Sequence, residues 1–128
     1  MAEKIRKQKQ IKVFGKHVYG NLYFCNKELL YDEKFLVEIV KEACKVANST
    51  LSKIISYRFG NNGGVSVIAI VAESHISIHT WPEYGYATLD VYTCGKHTKP
   101  EEAFDFVVKK LKPKKFTKHF VDRSLIQI

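Results

Sequence analysis

Apolar positions recur in this chain with two periods, and the alternation between them predicts its elements. Within residues 33–48, Phe35, Leu36, Ile39, Val40, Ala43, Val46 and Ala47 fall at helical spacing, and Asp32 stands where an N-cap belongs. These positions predict one amphipathic helix of about four turns. Phe104, Val107, Val108 and Leu111 predict a second helix, with Thr98 and Glu101 as a capping box around Pro100 and a stop at Pro113. The rest reads as strands. Residues 12–25 (KVFGKHVYGNLYFC) are a first strand interrupted by glycines, and residues 51–59 (LSKIISYRF) a second. The turn GNNGG leads into VSVIAIVA, residues 65–72, the most apolar strand and so a central one. HISIHT and YATLDVYTC follow, joined by the turn WPEYG, and KKFTKHFV, residues 114–121, is the last strand.

Runs of strands with only two helices predict an α+β two-layer sandwich: a mostly antiparallel sheet with both helices on one face. The other face then needs a cover. A domain of 128 residues gains stability from dimerisation, which would bury that face. Residues 1–10 are polar and basic and are expected to form a flexible extension, with residues 11–128 as a single domain.

Charge changes this picture little. The chain carries a formal +8, with lysines clustered near both ends. A basic surface can attract nucleic acid, yet no finger, RNA-recognition signature or basic zipper is present, so solvated lysines account for the charge. Three cysteines, Cys25, Cys44 and Cys94, are odd in number and lack C-x-x-C spacing, which fits reduced thiols in a cytoplasmic protein. No apolar run approaches a membrane span and no secretory signal opens the chain. GNNGG lacks the spacing and the following helix of a phosphate loop.

The remaining chemistry lies between Val71 and Gly95. Strand alternation points His75, Ser77 and His79 one way and Ile76, Ile78 and Thr80 the other. Two histidines at that spacing on a strand, with no ligand set beside them, argue against zinc. Ser74 lacks the G-x-S-x-G setting of a hydrolase nucleophile. The residue types alone support only a polar cluster on one sheet face.

The string ESHISIHTWPEYGYATLDVYTCG, however, closely resembles the signature of the small S-adenosylmethionine decarboxylases, which make their own pyruvoyl cofactor. The resemblance extends to GKHVYGNLY and GGVSVIAIVAES and spans roughly residues 13–120. It implies self-cleavage between Glu73 and Ser74 into a β chain of residues 1–73 and an α chain of residues 74–128. Ser74 becomes the pyruvoyl group and Schiff-base site. His79 handles protons in processing, Ser66 is a second processing residue, and Cys94 protonates the decarboxylated carbon. Phe59, Trp81 and Glu83 match substrate-binding positions. Such chemistry needs an electron sink beside the substrate amine, which a ketone at position 74 supplies without metal or pyridoxal phosphate. The implied substrate is a cationic amino acid: S-adenosylmethionine, feeding spermidine synthesis, or arginine, which close relatives of the family convert to agmatine. The implied assembly is a homodimer or larger. A non-enzymatic basic nucleic-acid-binding domain is the reading from another class, and the complete Ser, His and Cys set argues against it.

Overall fold

The computed structural model describes residues 10–127. Of the expected N-terminal extension, all but Gln10 lies outside the described residues. Strand β1 (Gln10–Val13) is followed by β2 (Gly15–Tyr23), so the first predicted strand is two, parted at Phe14. A short helix α1 (Lys27–Tyr31) leads into α2 (Glu33–Val46). Then come β3 (Leu51–Arg58), β4 (Val65–Val71) and β5 (Ser74–Trp81), a 3-10 turn (Pro82–Tyr84) and β6 (Tyr86–Cys94). Helix α3 (Pro100–Leu111) precedes β7 (Lys115–Phe116), β8 (His119–Asp122) and β9 (Leu125–Gln127).

The main sheet has the order β3-β4-β5-β6-β2-β7, and β8 also pairs with β2. Strands β1 and β9 form a separate ribbon. Every pairing is antiparallel. The α+β architecture with two main helices therefore matches the sequence reading.

The core lies between one sheet face and the helices. Ile76, Ile78, Val67 and Leu89 from the sheet meet Leu36 and Val40 of α2 and Phe104 and Val107 of α3, all essentially without exposure. Each buried side chain of this size contributes roughly 1.5–3 kcal/mol by leaving water. The alternation read for β5 holds at its ends: Ile76, Ile78 and Thr80 are buried and His75 and His79 are half-exposed, but Ser77 between the two histidines is buried as well.

Three further details differ from the sequence reading. Helix α1 was not expected; Asn26 caps it by accepting the Glu28 amide at 2.9 Å. Asp32 caps α2 as expected, accepting the Phe35 amide at 3.0 Å, and it also closes α1. The capping box of α3 does not form. Lys99 is the N-cap without a side-chain bond, and the Thr98 hydroxyl instead donates to the Gly95 carbonyl at 2.9 Å, tying down the loop after β6. The last predicted strand breaks at Thr117 and Lys118, where Thr117 bonds to Asn21 through both backbone and hydroxyl. That close return explains Gly20: a Cβ there would sit 1.9 Å from the Thr117 carbonyl oxygen.

The sheet face away from the helices is bare. Its β3–β4 half carries Ile55, Tyr57, Ile68 and Ile70, between 39% and 60% exposed. Its β6–β2 half carries Asp90, Tyr92, His17 and Tyr19, all partly exposed.

Candidate active site

Strand β5 positions the candidate residues at its two ends. At its start, Ala72 and Glu73 make the tight turn from β4, and Val71 pairs with Ser74. Three contacts fix this turn. The Cys94 amide donates to the Glu73 carbonyl oxygen at 2.8 Å. The Thr50 amide donates to one Glu73 carboxylate oxygen at 2.9 Å, and His97 Nε2 lies 3.1 Å from the other. These hydrogen bonds, the Thr50 amide first, hold the Glu73 carboxyl below its ordinary pKa. Gly95, at φ 112°, lets the chain fold His97 back toward Glu73. A Cβ there would lie 2.6 Å from the His97 ring.

Ser74 has φ 144°, a conformation that costs a residue with a Cβ about 1–3 kcal/mol. Strain at the Glu73–Ser74 junction is therefore present in the backbone. Ser74 Oγ lies 3.4 Å from Cys94 Sγ. That thiol also lies 3.7 Å from Tyr92 Oη. The register explains the meeting: Ser74 pairs with Thr93, so Cys94 is one residue past its partner. Thr93 itself points into the core, and its buried hydroxyl has no hydrogen-bond partner.

At the other end of β5, Ser66 of β4 pairs with His79, and Ser66 Oγ lies 2.7 Å from His79 Nδ1. These two residues line a cavity of about 440 Å³ together with Phe59, Gly63, Gly64, Thr80, Trp81 and Glu83. Thr80 anchors the cavity floor: its hydroxyl accepts the Val65 amide and donates to the Leu30 carbonyl, both at 2.9 Å. Phe59 is 55% and Trp81 40% exposed, so part of each side chain is open to a ligand.

The sequence-predicted residues thus form two groups within one chain. Glu73, Ser74 and Cys94 meet at one end of β5; Ser66, His79, Phe59, Trp81 and Glu83 meet at the other. Five residues of strand at about 3.3 Å each separate Ser74 from His79 by about 16 Å. The chain does not bring His79 to Ser74. Two contributors to the first group were not read from the sequence. His97 lies two residues after Gly95 in a loop, and Tyr92 lies two residues before Cys94. Alternation along β6 carried the signal for Tyr92, because it puts residues 92 and 94 on one face.

Among the described residues no group of three or more His, Cys, Asp or Glu is placed to hold a metal ion. No helix among them is long and apolar enough to cross a membrane. Cys25 and Cys44 are buried, and burial pushes both thiols up to about 11. Cys94 is the half-exposed cysteine.

The chain is similar to known proteins in both sequence and fold. Residues 16–124 match the family described as S-adenosylmethionine decarboxylase. The chain is 63% identical over 113 residues to the S-adenosylmethionine decarboxylase proenzyme of Pyrobaculum islandicum, covering 88% of this chain and 90% of that one. It is 58% identical over 115 residues to the arginine decarboxylase proenzyme of Hyperthermus butylicus, covering 89% and 81%. Its fold is similar to the crystal structure of the adenosylmethionine decarboxylase from Aquifex aeolicus. The TM-score is 0.82 at 36% identity, over 91% of this chain and 95% of that one.

Proposed function

Because the chain belongs to the S-adenosylmethionine decarboxylase family and is therefore a carboxy-lyase, we propose that it cleaves itself between Glu73 and Ser74 and then decarboxylates S-adenosylmethionine. The observation that carries this reading is the Glu73–Ser74 junction: a strained peptide whose carbonyl oxygen is already held by the Cys94 amide at 2.8 Å.

The residues at the junction fit the formation of a pyruvoyl group. Attack of Ser74 Oγ on the Glu73 carbonyl carbon moves the acyl group from nitrogen to oxygen. The Cys94 N–H stabilises the negative charge on the carbonyl oxygen during attack, as a preorganised donor does elsewhere. Loss of the Ser74 α-proton then expels Glu73 as a carboxylate and ends the β chain, residues 1–73. Addition of water and loss of ammonia leave a ketone at position 74, heading the α chain, residues 74–128. That ketone supplies the electron sink for decarboxylation. Cys94, whose Sγ lies 3.4 Å from Ser74 Oγ, would return a proton to the substrate carbon. Phe59 and Trp81 offer stacking faces for an aromatic base, and Glu83 offers a carboxylate for hydroxyls. Such a lining supports a nucleoside-bearing substrate over arginine.

The separation within β5 supports a homodimer. Proton transfer needs about 2.6–3.2 Å between heavy atoms, so His79 can serve Ser74 only across chains. A two-fold axis lying between two bare sheet faces and across β5 brings the Ser74 end of one strand over the His79 end of the other. The same pairing covers Ile55, Tyr57, Ile68 and Ile70.

Purified wild type is expected as two chains, and Ser74→Ala as one intact, inactive chain. Processed enzyme is then given carboxyl-labelled S-adenosylmethionine or labelled arginine, and released carbon dioxide is counted. Release from arginine alone would overturn the substrate; an intact chain in active wild type would overturn the processing.

A further inference from the structure

Strand β6 delivers Tyr92 and Cys94 to the same sheet face, and they touch. We propose that Tyr92 is the positioning residue for the Cys94 thiol, accepting its hydrogen while the thiol is neutral and donating to the thiolate left after proton transfer. The proposal rests on the reading of Cys94 as the proton donor.

Among the described residues Cys94 Sγ has two hydrogen-bonding neighbours, Ser74 Oγ at 3.4 Å and Tyr92 Oη at 3.7 Å. The first is consumed when position 74 becomes a ketone. The phenol remains, and it suits both states of the thiol because a phenolic hydroxyl both accepts and donates. A thiolate in a half-buried site needs such a donor, since burial without one disfavours its charge. The phenol is also held in place. The Arg123 guanidinium lies 4.6 Å over the Tyr92 ring. The rings of His17 and His75 meet its edges at 5.7 and 5.8 Å. Clamped on three sides, Oη stays aimed at sulfur. The contact with Cys94, followed by burial, raises the phenol above its ordinary pKa, so it stays a donor where a thiol titrates.

The charged and titratable groups around this pair come from every neighbouring element. His75 stands on β5, His17 on β2 with Asp90 of β6 bonded to it, and Arg123 follows β8. Glu73 and His97 lie in the adjoining turns. All are retained when Tyr92 becomes Phe, so a difference between the two proteins reports the hydroxyl.

The test uses processed enzyme and reads the thiol directly. Cys25 and Cys44 are buried, with thiols near 11, so alkylation by iodoacetamide below that range reads Cys94. The rate is followed against pH in wild type and in Tyr92→Phe, which keeps the clamped ring. The midpoint is expected to rise by about half to one pH unit in Tyr92→Phe, the order of one weak hydrogen bond to a charged group. The alkaline limb of turnover should move up with it. Turnover at neutral pH should fall by roughly 3–10-fold, since a weaker acid donates more slowly. An unmoved alkylation midpoint overturns the proposal. So does a further loss when Tyr92→Phe is added to Cys94→Ala, because a residue acting through the thiol has nothing left to act on. Should Cys94→Ala itself turn over like wild type, the reading of Cys94 as proton donor fails, while the alkylation midpoint still decides the contact.

Discussion

Mixing two inactive variants tests how the site is built. Ser74→Ala removes the hydroxyl proposed to attack, and His79→Ala removes the residue proposed to move protons, about 16 Å away along the same strand. Each pure variant is expected to stay uncut. Co-expressed in equal amounts with different tags, chains that form the proposed homodimer pair at random, and about half of the dimers are mixed. In a mixed dimer one site combines the intact Ser74 of the His79→Ala chain with the intact His79 of the Ser74→Ala chain. The other site carries both defects. Cleavage should therefore appear in the His79→Ala chain only, in about half of its copies, and activity should reach about one quarter of wild type. A gel resolving the two tags and a count of released carbon dioxide measure both numbers. A mixed dimer, shown by pull-down through one tag, in which neither chain is cut would refute the shared site. Cutting of the His79→Ala chain expressed alone would refute a need for His79 at all.

Three further outcomes follow from other parts of the molecule. Phe104 of α3, fully buried, should cost about 3–5 kcal/mol on truncation to Ala, read by denaturant unfolding of a Ser74→Ala precursor so that one chain is followed. Thr93→Val should leave that precursor as stable or more stable by about 1 kcal/mol, because it removes a buried hydroxyl without a partner; a large loss would mean that the hydroxyl is bonded. The Glu73 carboxyl is held below its ordinary pKa by the Thr50 amide and His97. Its contribution to precursor stability is therefore present above the unfolded value of about 4.3 and is lost as pH falls through the lowered folded value. Glu73→Gln should flatten that acid loss in a pH series of melting temperatures.

The sequence made the framework legible where a period was long enough to be unambiguous. Helix α2 declares itself because seven apolar residues share one stripe and Asp32 caps it. Strand β5 declares itself by strict alternation. Helix α1 is not legible in the sequence because five residues are too few to display a period, and its cap Asn26 also suits a turn. The capping-box pattern misleads at α3 because the Thr98 hydroxyl donates to the Gly95 carbonyl instead, and Pro100 leaves one amide fewer to satisfy. The candidate residues could be read as a set, but not their division. A linear motif shows Ser74 and His79 as neighbours, and only strand geometry turns five positions into about 16 Å. The Tyr92 contact was hidden for the opposite reason, since aromatic residues in strands are common and one near a cysteine carries no mark.

The strand order has a consequence for the cut protein. Within a Glu73–Ser74 break, β2 belongs to the first fragment, yet it runs between β6 and the β7–β8 segment, which belong to the second. The ribbon of β1 and β9 joins the fragments again. The two products are interleaved like the fingers of clasped hands, and neither can leave without tearing hydrogen bonds on both sides of β2. The intact chain can fold because its halves are tethered. After the cut the tether is gone, and refolding becomes a meeting of two molecules whose rate falls with dilution. Heat would then end the mature form at a rate set by its unfolding barrier, with no equilibrium to restore it.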